Sequence, residues 1–228
     1  VLEIAAREDF NFAGVDSAGA LEYNDTWTDK HIDQVLGLSL VSVNEIRAAG
    51  FTVAIDCINS VGGIVLPRLL RALGVERIVE LNTTPDGNFA HTPEPLPENL
   101  KDISELVVKA GADIGFVVDP DVDRLAIICE NGAMFGEEYT LVAVADYILK
   151  TTPGSTVSNL SSTKALSDVA ESYGCKHYSS AVGEVNVVEE MKKRGAVIGG
   201  EGNGGVIYPE LHYGRDALAG IALFLSHL

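Results

Sequence analysis

The sequence is poor in cysteine and has no long apolar segment. Its 228 residues include three cysteines, Cys57, Cys129 and Cys175, which are odd in number and scattered along the chain. We therefore expect reduced thiols in the core of a cytoplasmic protein rather than a disulfide framework. No apolar run approaches the roughly 20 residues that a membrane span needs, and the first residues lack the layout of a signal peptide. These features argue against secreted and membrane classes.

Basic residues are also scarce. The chain has 16 Lys and Arg against 33 Asp and Glu, a formal net charge of −17. So acidic a surface repels a phosphate backbone, which argues against nucleic acid as a partner. The 46% hydrophobic content and 23 glycines are typical of a globular α/β protein, and the length allows two modest domains.

Three carboxylates at alternate positions are the most informative feature of the chain. Asp119, Asp121 and Asp123 lie between two short apolar runs, Ile114 to Val118 and Leu125 to Cys129, which are rich in β-branched residues and predict buried strands. In near-extended backbone such side chains point the same way. Carboxylates so close repel one another unless a cation binds them. The pattern therefore predicts Mg²⁺, which takes a few carboxylates together with substrate phosphates.

Arg124 follows the third carboxylate directly. A guanidinium beside an acidic metal loop is a poor ligand for a cation but a good clamp for a phosphate. Two alternatives remain open on these residues alone. The loop could be a solvated acidic turn, or Asp119 could be the nucleophile of a metal-dependent phosphatase.

The order of elements predicts two α/β units in tandem. A strand, a polar turn, a helix and a closing glycine over 51–74 are echoed after a Thr-Pro-Gly-Ser boundary at 152–155. We expect a linking segment at 1–45, a first domain at 46–150 and a second at 151–228.

Two adjacent glycines, Gly62 and Gly63, lie between the first strand and its helix. Exposed N–H groups at such a position can cradle phosphate. The pair lacks the Lys and the spacing of a P-loop, so tight packing of helix on strand is the favoured interpretation.

A glycine-rich stretch near the end of the chain carries a second polar pair. Five glycines surround Glu201 and Asn203. Glycine permits unusual backbone angles and close approach to a ligand, and a carboxylate beside an amide can bind adjacent hydroxyls of a sugar. A glycine-rich turn with a solvated Glu explains the composition equally well.

Several motifs together resemble one family. Asp-Pro-Asp-Val-Asp-Arg at 119–124 resembles the metal-binding loop of the α-D-phosphohexomutases, the phosphoglucomutase/phosphomannomutase superfamily. Gly-Glu-Gly-Asn-Gly-Gly at 200–205 is similar to that family's sugar-binding loop, and the Val-Gly-Glu segment at 182–184 and the Pro-Asp-Gly-Asn-Phe and Pro-Glu-Pro segments occur in family order. The resemblance implies an α/β fold with two tandem three-layer domains and mixed sheets.

The resemblance also implies a reaction and roles for individual residues. The family interconverts hexose 1-phosphates and 6-phosphates through a phosphoserine and a hexose bisphosphate intermediate. Asp119, Asp121 and Asp123 would then hold Mg²⁺, and Arg124 would be catalytic. The expected substrate-binding residues are Glu184, Glu201, Asn203 and Gly204.

The chain departs from the family pattern in places. Asn203 replaces the usual Ser, Gly205 replaces a His, and Glu184 stands where many members carry a basic residue. The loop looks closer to phosphoglucosamine mutase-like members.

Neither the Ser-His-Asn-Pro motif that carries the phosphoserine nor the phosphate-clamping C-terminal domain is found in the sequence. We therefore expect the two central domains of a longer enzyme, inactive without N- and C-terminal domains of the same chain. A stand-alone Mg²⁺-dependent sugar-phosphate phosphatase and a non-catalytic sugar-phosphate binding module are the alternatives.

Overall fold

Two four-stranded mixed sheets organise the chain. The structure is a computed structural model that describes all residues, 1–228. The helices are α1 (Leu2–Arg7), α2 (Trp27–Leu36), α3 (Val43–Ala49), α4 (Gly62–Ala72), α5 (Lys101–Ala110), α6 (Glu137–Thr151), α7 (Ala165–Ser172), α8 (Glu184–Arg194) and α9 (Ala217–His227). The strands are β1 (Thr52–Asp56), β2 (Arg77–Leu81), β3 (Ile114–Val118), β4 (Leu125–Cys129), β5 (Thr156–Asn159), β6 (His177–Ser180), β7 (Ile198–Glu201) and β8 (Gly205–Ile207).

The two sheets share one topology. The first has the order β2-β1-β3-β4 and the second β6-β5-β7-β8. In each sheet the first three strands are parallel and the last is antiparallel to its neighbour. The prediction of two tandem α/β units with mixed sheets is confirmed, and β3 and β4 begin and end where the apolar runs predicted.

Both sheets are covered by helices on each face. One cluster of 35 buried residues includes residues from both sheets and from α2, α4, α6 and α9. A separate cluster joins the first sheet to α5, and a third joins the second sheet to α8. The three-layer arrangement expected of each domain is therefore present. None of the helices combines the length and the apolar character needed to cross a bilayer.

Helix α9 occupies the centre of the large cluster. It is buried almost all round and packs on α2, α3, α6, β4 and β8. Phe224 of α9 meets Phe116 of β3 edge-on, with ring centroids 6.5 Å apart, and meets Phe135 at 5.6 Å. Such edge-to-face pairs add to the energy of apolar burial. One helix thus joins the two domains through a shared core.

The paired glycines lie at the start of α4. A Cβ on Gly63 would come within 2.0 Å of the Thr83 carbonyl oxygen, and one on Gly62 within 2.7 Å of Val118. These contacts support the packing role, since only glycine lets the helix begin so close to the sheet.

Only the later part of the N-terminal segment packs against the core. Residues 1–26 are exposed, whereas Ile32, Val35 and Ile46 of the helices α2 and α3 belong to the large core cluster. The predicted boundary at residue 150 would place helix α6 in the first domain, but α6 contacts both β4 of the first sheet and β7 of the second. The domain boundaries at residues 45 and 150 therefore stay a prediction.

We expect Phe116→Ala to lower the free energy of unfolding by about 3–5 kcal/mol, because it leaves a cavity in the shared core. The matched control is Phe89→Ala, since Phe89 is 46% exposed and should lose far less. Urea denaturation followed by circular dichroism measures both. Equal losses of unfolding free energy in the two variants would contradict the burial of Phe116 in the shared core.

Candidate functional site

The two domains meet through backbone at the start of β4. The Leu125 N–H donates a hydrogen bond to the Gly204 carbonyl oxygen at 3.0 Å, and the Thr140 hydroxyl donates to the Leu125 carbonyl oxygen at 3.0 Å. Gly204 has a φ of +89°, and a Cβ there would lie 2.4 Å from the Leu125 carbonyl oxygen. Glycine is therefore required on both conformational and steric grounds. This contact places the acidic loop of the first domain beside the β7–β8 hairpin of the second.

The three predicted carboxylates converge. Asp119, Asp121 and Asp123 each offer one oxygen, and these oxygens lie within 4.8 Å of one another. The backbone is a turn rather than the near-extended segment expected, because the Val122 N–H donates to the Asp119 carbonyl oxygen at 3.2 Å. The prediction of convergence is confirmed, but the geometry that produces it differs.

The backbone of this turn is strained at Val122. Its φ is +62°, in the left-handed region that a β-branched residue rarely adopts. The Ala217 N–H, at the start of α9, donates to the Val122 carbonyl oxygen at 3.1 Å, and the side chain is buried in the large core cluster. Helix α9 therefore stabilises the conformation of the acidic loop through its hydrogen bond to Val122 and through the core that buries the Val122 side chain.

The electrostatics of the loop indicate a shortage of positive charge. Asp119 is buried, yet its pKa lies below the ordinary value because hydrogen bonds from the Arg124 side chain and backbone outweigh the desolvation. Burial, with Asp119 adding repulsion, raises the pKa of Asp123 to about 6. The Asp123 Oδ1 is buried without a hydrogen-bond partner. These oxygens fit a hard divalent cation, which would bind that unpaired oxygen and relieve the repulsion.

Arg124 is anchored between two acidic side chains. Its Nε donates to the Asp119 Oδ2 at 2.7 Å, and its Nη1 donates to the Glu94 Oε2 at 2.6 Å. Glu94 belongs to the Pro-Glu-Pro segment named above. The guanidinium is therefore fixed at the edge of the acidic loop, with its remaining nitrogen available to a ligand.

Arg215 is the site residue that sequence reasoning missed. Its Nη1 donates to the Glu201 Oε2 at 2.8 Å, its Nη2 bonds to the Asp123 Oδ2, and its backbone N–H donates to the Glu184 Oε1 at 2.9 Å. One arginine thus connects the acidic loop to two of the predicted substrate-binding carboxylates, to Glu201 through its guanidinium and to Glu184 through its backbone N–H. The Gly-Arg-Asp sequence at 214–216, a charged pair directly before an apolar helix, was the available signal.

Three of the four predicted substrate-binding residues lie on the hairpin, and the fourth, Glu184, begins α8. Glu201 ends β7 and is 5% exposed, and its Oε1 accepts a hydrogen bond from the Asn159 amide at 2.7 Å. The Asn203 Oδ1 accepts from the Gly205 N–H at 3.2 Å and so shapes the turn. The structure therefore brings Glu184 and Glu201 together through Arg215, with Asn203 at the tip and Gly204 at the domain junction.

The geometry disfavours Asp119 as a nucleophile. Its Oδ1 accepts from the backbone N–H groups of Asp123 and Arg124, both at 3.1 Å, and its Oδ2 accepts from the Arg124 Nε. Both oxygens accept hydrogen bonds, and only 2% of the residue is exposed. A lone pair can still bind a small cation between the three carboxylates, but neither oxygen is free to approach a phosphorus atom. An attacking carboxylate needs a free oxygen directed at the phosphate.

Two family models match consecutive parts of the chain. The phosphoglucomutase/phosphomannomutase α/β/α domain II model matches residues 29–132, and the domain III model of the same family matches residues 136–228.

Named relatives agree with these models. A phosphoglucomutase/phosphomannomutase of Thermococcus kodakarensis is 37% identical over 95% of this chain and 47% of the relative. A probable phosphoglucosamine mutase of Methanopyrus kandleri is 32% identical over 96% of this chain and 48% of the relative. A crystal structure of a phosphoglucomutase/phosphomannomutase family protein from Burkholderia thailandensis superposes with a TM-score of 0.83 at 28% identity, covering 99% of this chain and 47% of that one. The chain spans about half the length of the curated relatives it matches.

Asp123→Asn should stabilise the metal-free protein at neutral pH. The pKa of Asp123, about 6, exceeds the ordinary 3.8, so its contribution to stability is present below pH 4 and is lost as the pH rises through 6. Asn does not titrate, so the variant should gain on the order of 1 kcal/mol over the parent at pH 7.5 and little at pH 4.

The measurement is urea denaturation in EDTA at both pH values. Asp102→Asn, an exposed acid in α5, corrects for the loss of one negative charge. An advantage for Asp123→Asn that stays constant with pH would contradict the raised pKa.

Proposed function

The chain belongs to the phosphoglucomutase/phosphomannomutase family, and on that basis we propose that it forms the metal- and sugar-binding part of a phosphohexomutase. Such an enzyme interconverts hexose 1-phosphates and hexose 6-phosphates. The observation that carries the proposal is the junction where Arg215 joins the acidic loop to Glu184 and Glu201. Metal, phosphate and sugar chemistry would then act within one connected group of side chains.

Asp119, Asp121 and Asp123 are the proposed Mg²⁺ ligands. Their convergence and the unpaired buried oxygen of Asp123 support this assignment. When bound, Mg²⁺ would neutralise negative charge on a phosphate and polarise the phosphoryl group.

Arg124 is the proposed catalytic residue. Asp119 and Glu94 hold its guanidinium in a fixed orientation, so little reorganisation accompanies the reaction. A preorganised cation stabilises charge on a transferring phosphoryl group more effectively than a mobile one.

Glu184, Glu201, Asn203 and Gly204 form the proposed sugar-binding side of the site. Glu201 is buried and held by Asn159 and Arg215, which orients its carboxylate for hydroxyl groups of a hexose. Asn203 offers an amide at the tip of the hairpin, and Gly204 keeps that tip against the first domain. Arg215 positions both carboxylates and Asp123.

The phosphoserine is proposed to come from another domain of the same polypeptide, as does a clamp for the second phosphate. The relatives are about twice as long as this chain, which supports the division of labour. The boundaries at 45 and 150 belong to this proposal. The engaged oxygens of Asp119 count against the alternative of a stand-alone phosphatase.

We expect Arg124→Ala, in the polypeptide that carries this chain together with its serine domain, to lower kcat by about 10²–10³-fold, since it removes charge stabilisation aimed at the transferring group. Arg68→Ala, on the surface of α4, is the control and should leave kcat unchanged. Glucose 1-phosphate conversion measures both. The 228-residue chain alone should show no conversion. Hydrolysis of a simple phosphate ester by the chain alone would instead support the phosphatase.

A second prediction concerns the sugar. Asn203 offers a donor and an acceptor where the family's Ser offers one hydroxyl, and Gly205 leaves space where a His is common. A polar site can discriminate strongly when one substrate leaves a buried group unpaired. We expect glucosamine phosphate to be preferred over glucose and mannose phosphates in a kcat/KM comparison. Asn203→Ser should reduce that preference. Parity among the three sugars would show that this hairpin does not encode the choice.

A further inference from the structure

Two histidines and an aspartate meet outside the carboxylate loop. The His31 Nε2 and the His212 Nε2 lie 2.8 and 2.9 Å from the same oxygen, Asp216 Oδ2. The three potential ligand atoms lie within 4.8 Å of one another. Each residue comes from a different part of the fold: His31 from α2, His212 from the segment after β8, and Asp216 from the position just before α9.

The two carboxylate oxygens of Asp216 have different partners. Its Oδ1 accepts a hydrogen bond from the Ala219 N–H at 3.0 Å and so caps α9, which leaves Oδ2 directed at the two imidazoles. Burial opposes ionisation, but hydrogen bonds from His212 and His31 hold the pKa of Asp216 well below its usual range. The carboxylate is therefore ionised, and one of its oxygens faces both imidazoles.

The cluster borders a cleft next to the proposed active site. This cleft, of about 290 Å³, is also lined by Asp121, Val122 and Arg215. His31 and His212 are partly exposed, with 33% and 41% of their side chains accessible. A small ion in solution can therefore reach all three groups.

We propose that His31, His212 and Asp216 form a second cation site, selective for a borderline divalent metal of the Zn²⁺ class. Imidazole nitrogens favour Zn²⁺, whereas Mg²⁺ takes oxygen ligands, as in the carboxylate loop. A tetrahedral site with bonds of about 2.0–2.1 Å separates its ligands by roughly 3.3 Å, so the two nitrogens need to move out from Asp216 by only about half an ångström. Three protein ligands leave one position for water.

The position of this site indicates what a bound cation would do. Asp216 caps α9, and the next residue, Ala217, donates its N–H to Val122 in the acidic loop. A cation held by His31 would fix α2 to the start of α9, and would thereby support the loop through the hydrogen bond from Ala217 to Val122. The two sites would be neighbours with different ligand chemistry.

The test is titration calorimetry of the 228-residue chain with Zn²⁺ in the presence of excess Mg²⁺, which would occupy the proposed site in the carboxylate loop. We expect one Zn²⁺ per chain and a rise in Tm on binding. His31→Gln and His212→Gln retain an amide donor towards Asp216, so the fold should be preserved while a ligand is lost. Each should weaken Zn²⁺ binding at least tenfold and reduce the Tm shift.

His227→Gln is the matched control, because His227 also faces a carboxylate, Asp146, at 3.6 Å but has no second histidine. Its Zn²⁺ affinity should equal that of the parent. Co²⁺ gives a spectroscopic readout, since visible absorption bands should appear in the parent and in His227→Gln and be lost in the two cluster variants. No Zn²⁺ binding under excess Mg²⁺, or binding that survives both cluster substitutions, would overturn the proposal.

Discussion

One backbone hydrogen bond, from the Leu125 N–H to the Gly204 carbonyl oxygen, sets the geometry on which the site depends. It requires a residue without a Cβ at 204, because any side chain would strike the Leu125 carbonyl. The acidic loop ends at Arg124 and the hairpin turn begins at Gly202, so this contact brings two sequence motifs about 80 residues apart to one place. Arg215 then reaches Asp123 and Glu201 at the same time.

The assembled site is strongly acidic. Two guanidiniums, of Arg124 and Arg215, are set among the carboxylates of Glu94, Asp119, Asp121, Asp123, Glu184 and Glu201. Such a group would repel the proposed sugar phosphate unless a divalent cation reduced its negative charge. The net charge of −17 is thus reflected locally, and it favours a cation as the first component to bind. The two arginines then determine where an anion can approach.

The sequence was sufficient for the features encoded over short distances. The runs at 114–118 and 125–129 predicted β3 and β4 because β-branched residues and flanking polar residues act locally, and the repeated pattern predicted two sheets. Features that depend on distant partners were not predicted. Arg215 gains its role from residues 14 to 92 positions away. Val122 adopts a positive φ because α9 and the core hold it, and His31 meets Asp216 from the other end of the chain. No pattern of neighbouring residues reports such contacts.

The shared core has a mechanical consequence. Because α9 and the 35-residue cluster join both sheets, the two domains cannot hinge apart without exposing a large apolar area, which costs roughly 25 cal/mol for each Å². Ligand entry therefore cannot be driven by bending between these domains. The pair acts as one stiff unit, so any movement that admits or releases a ligand would have to come from segments that lie outside this shared core.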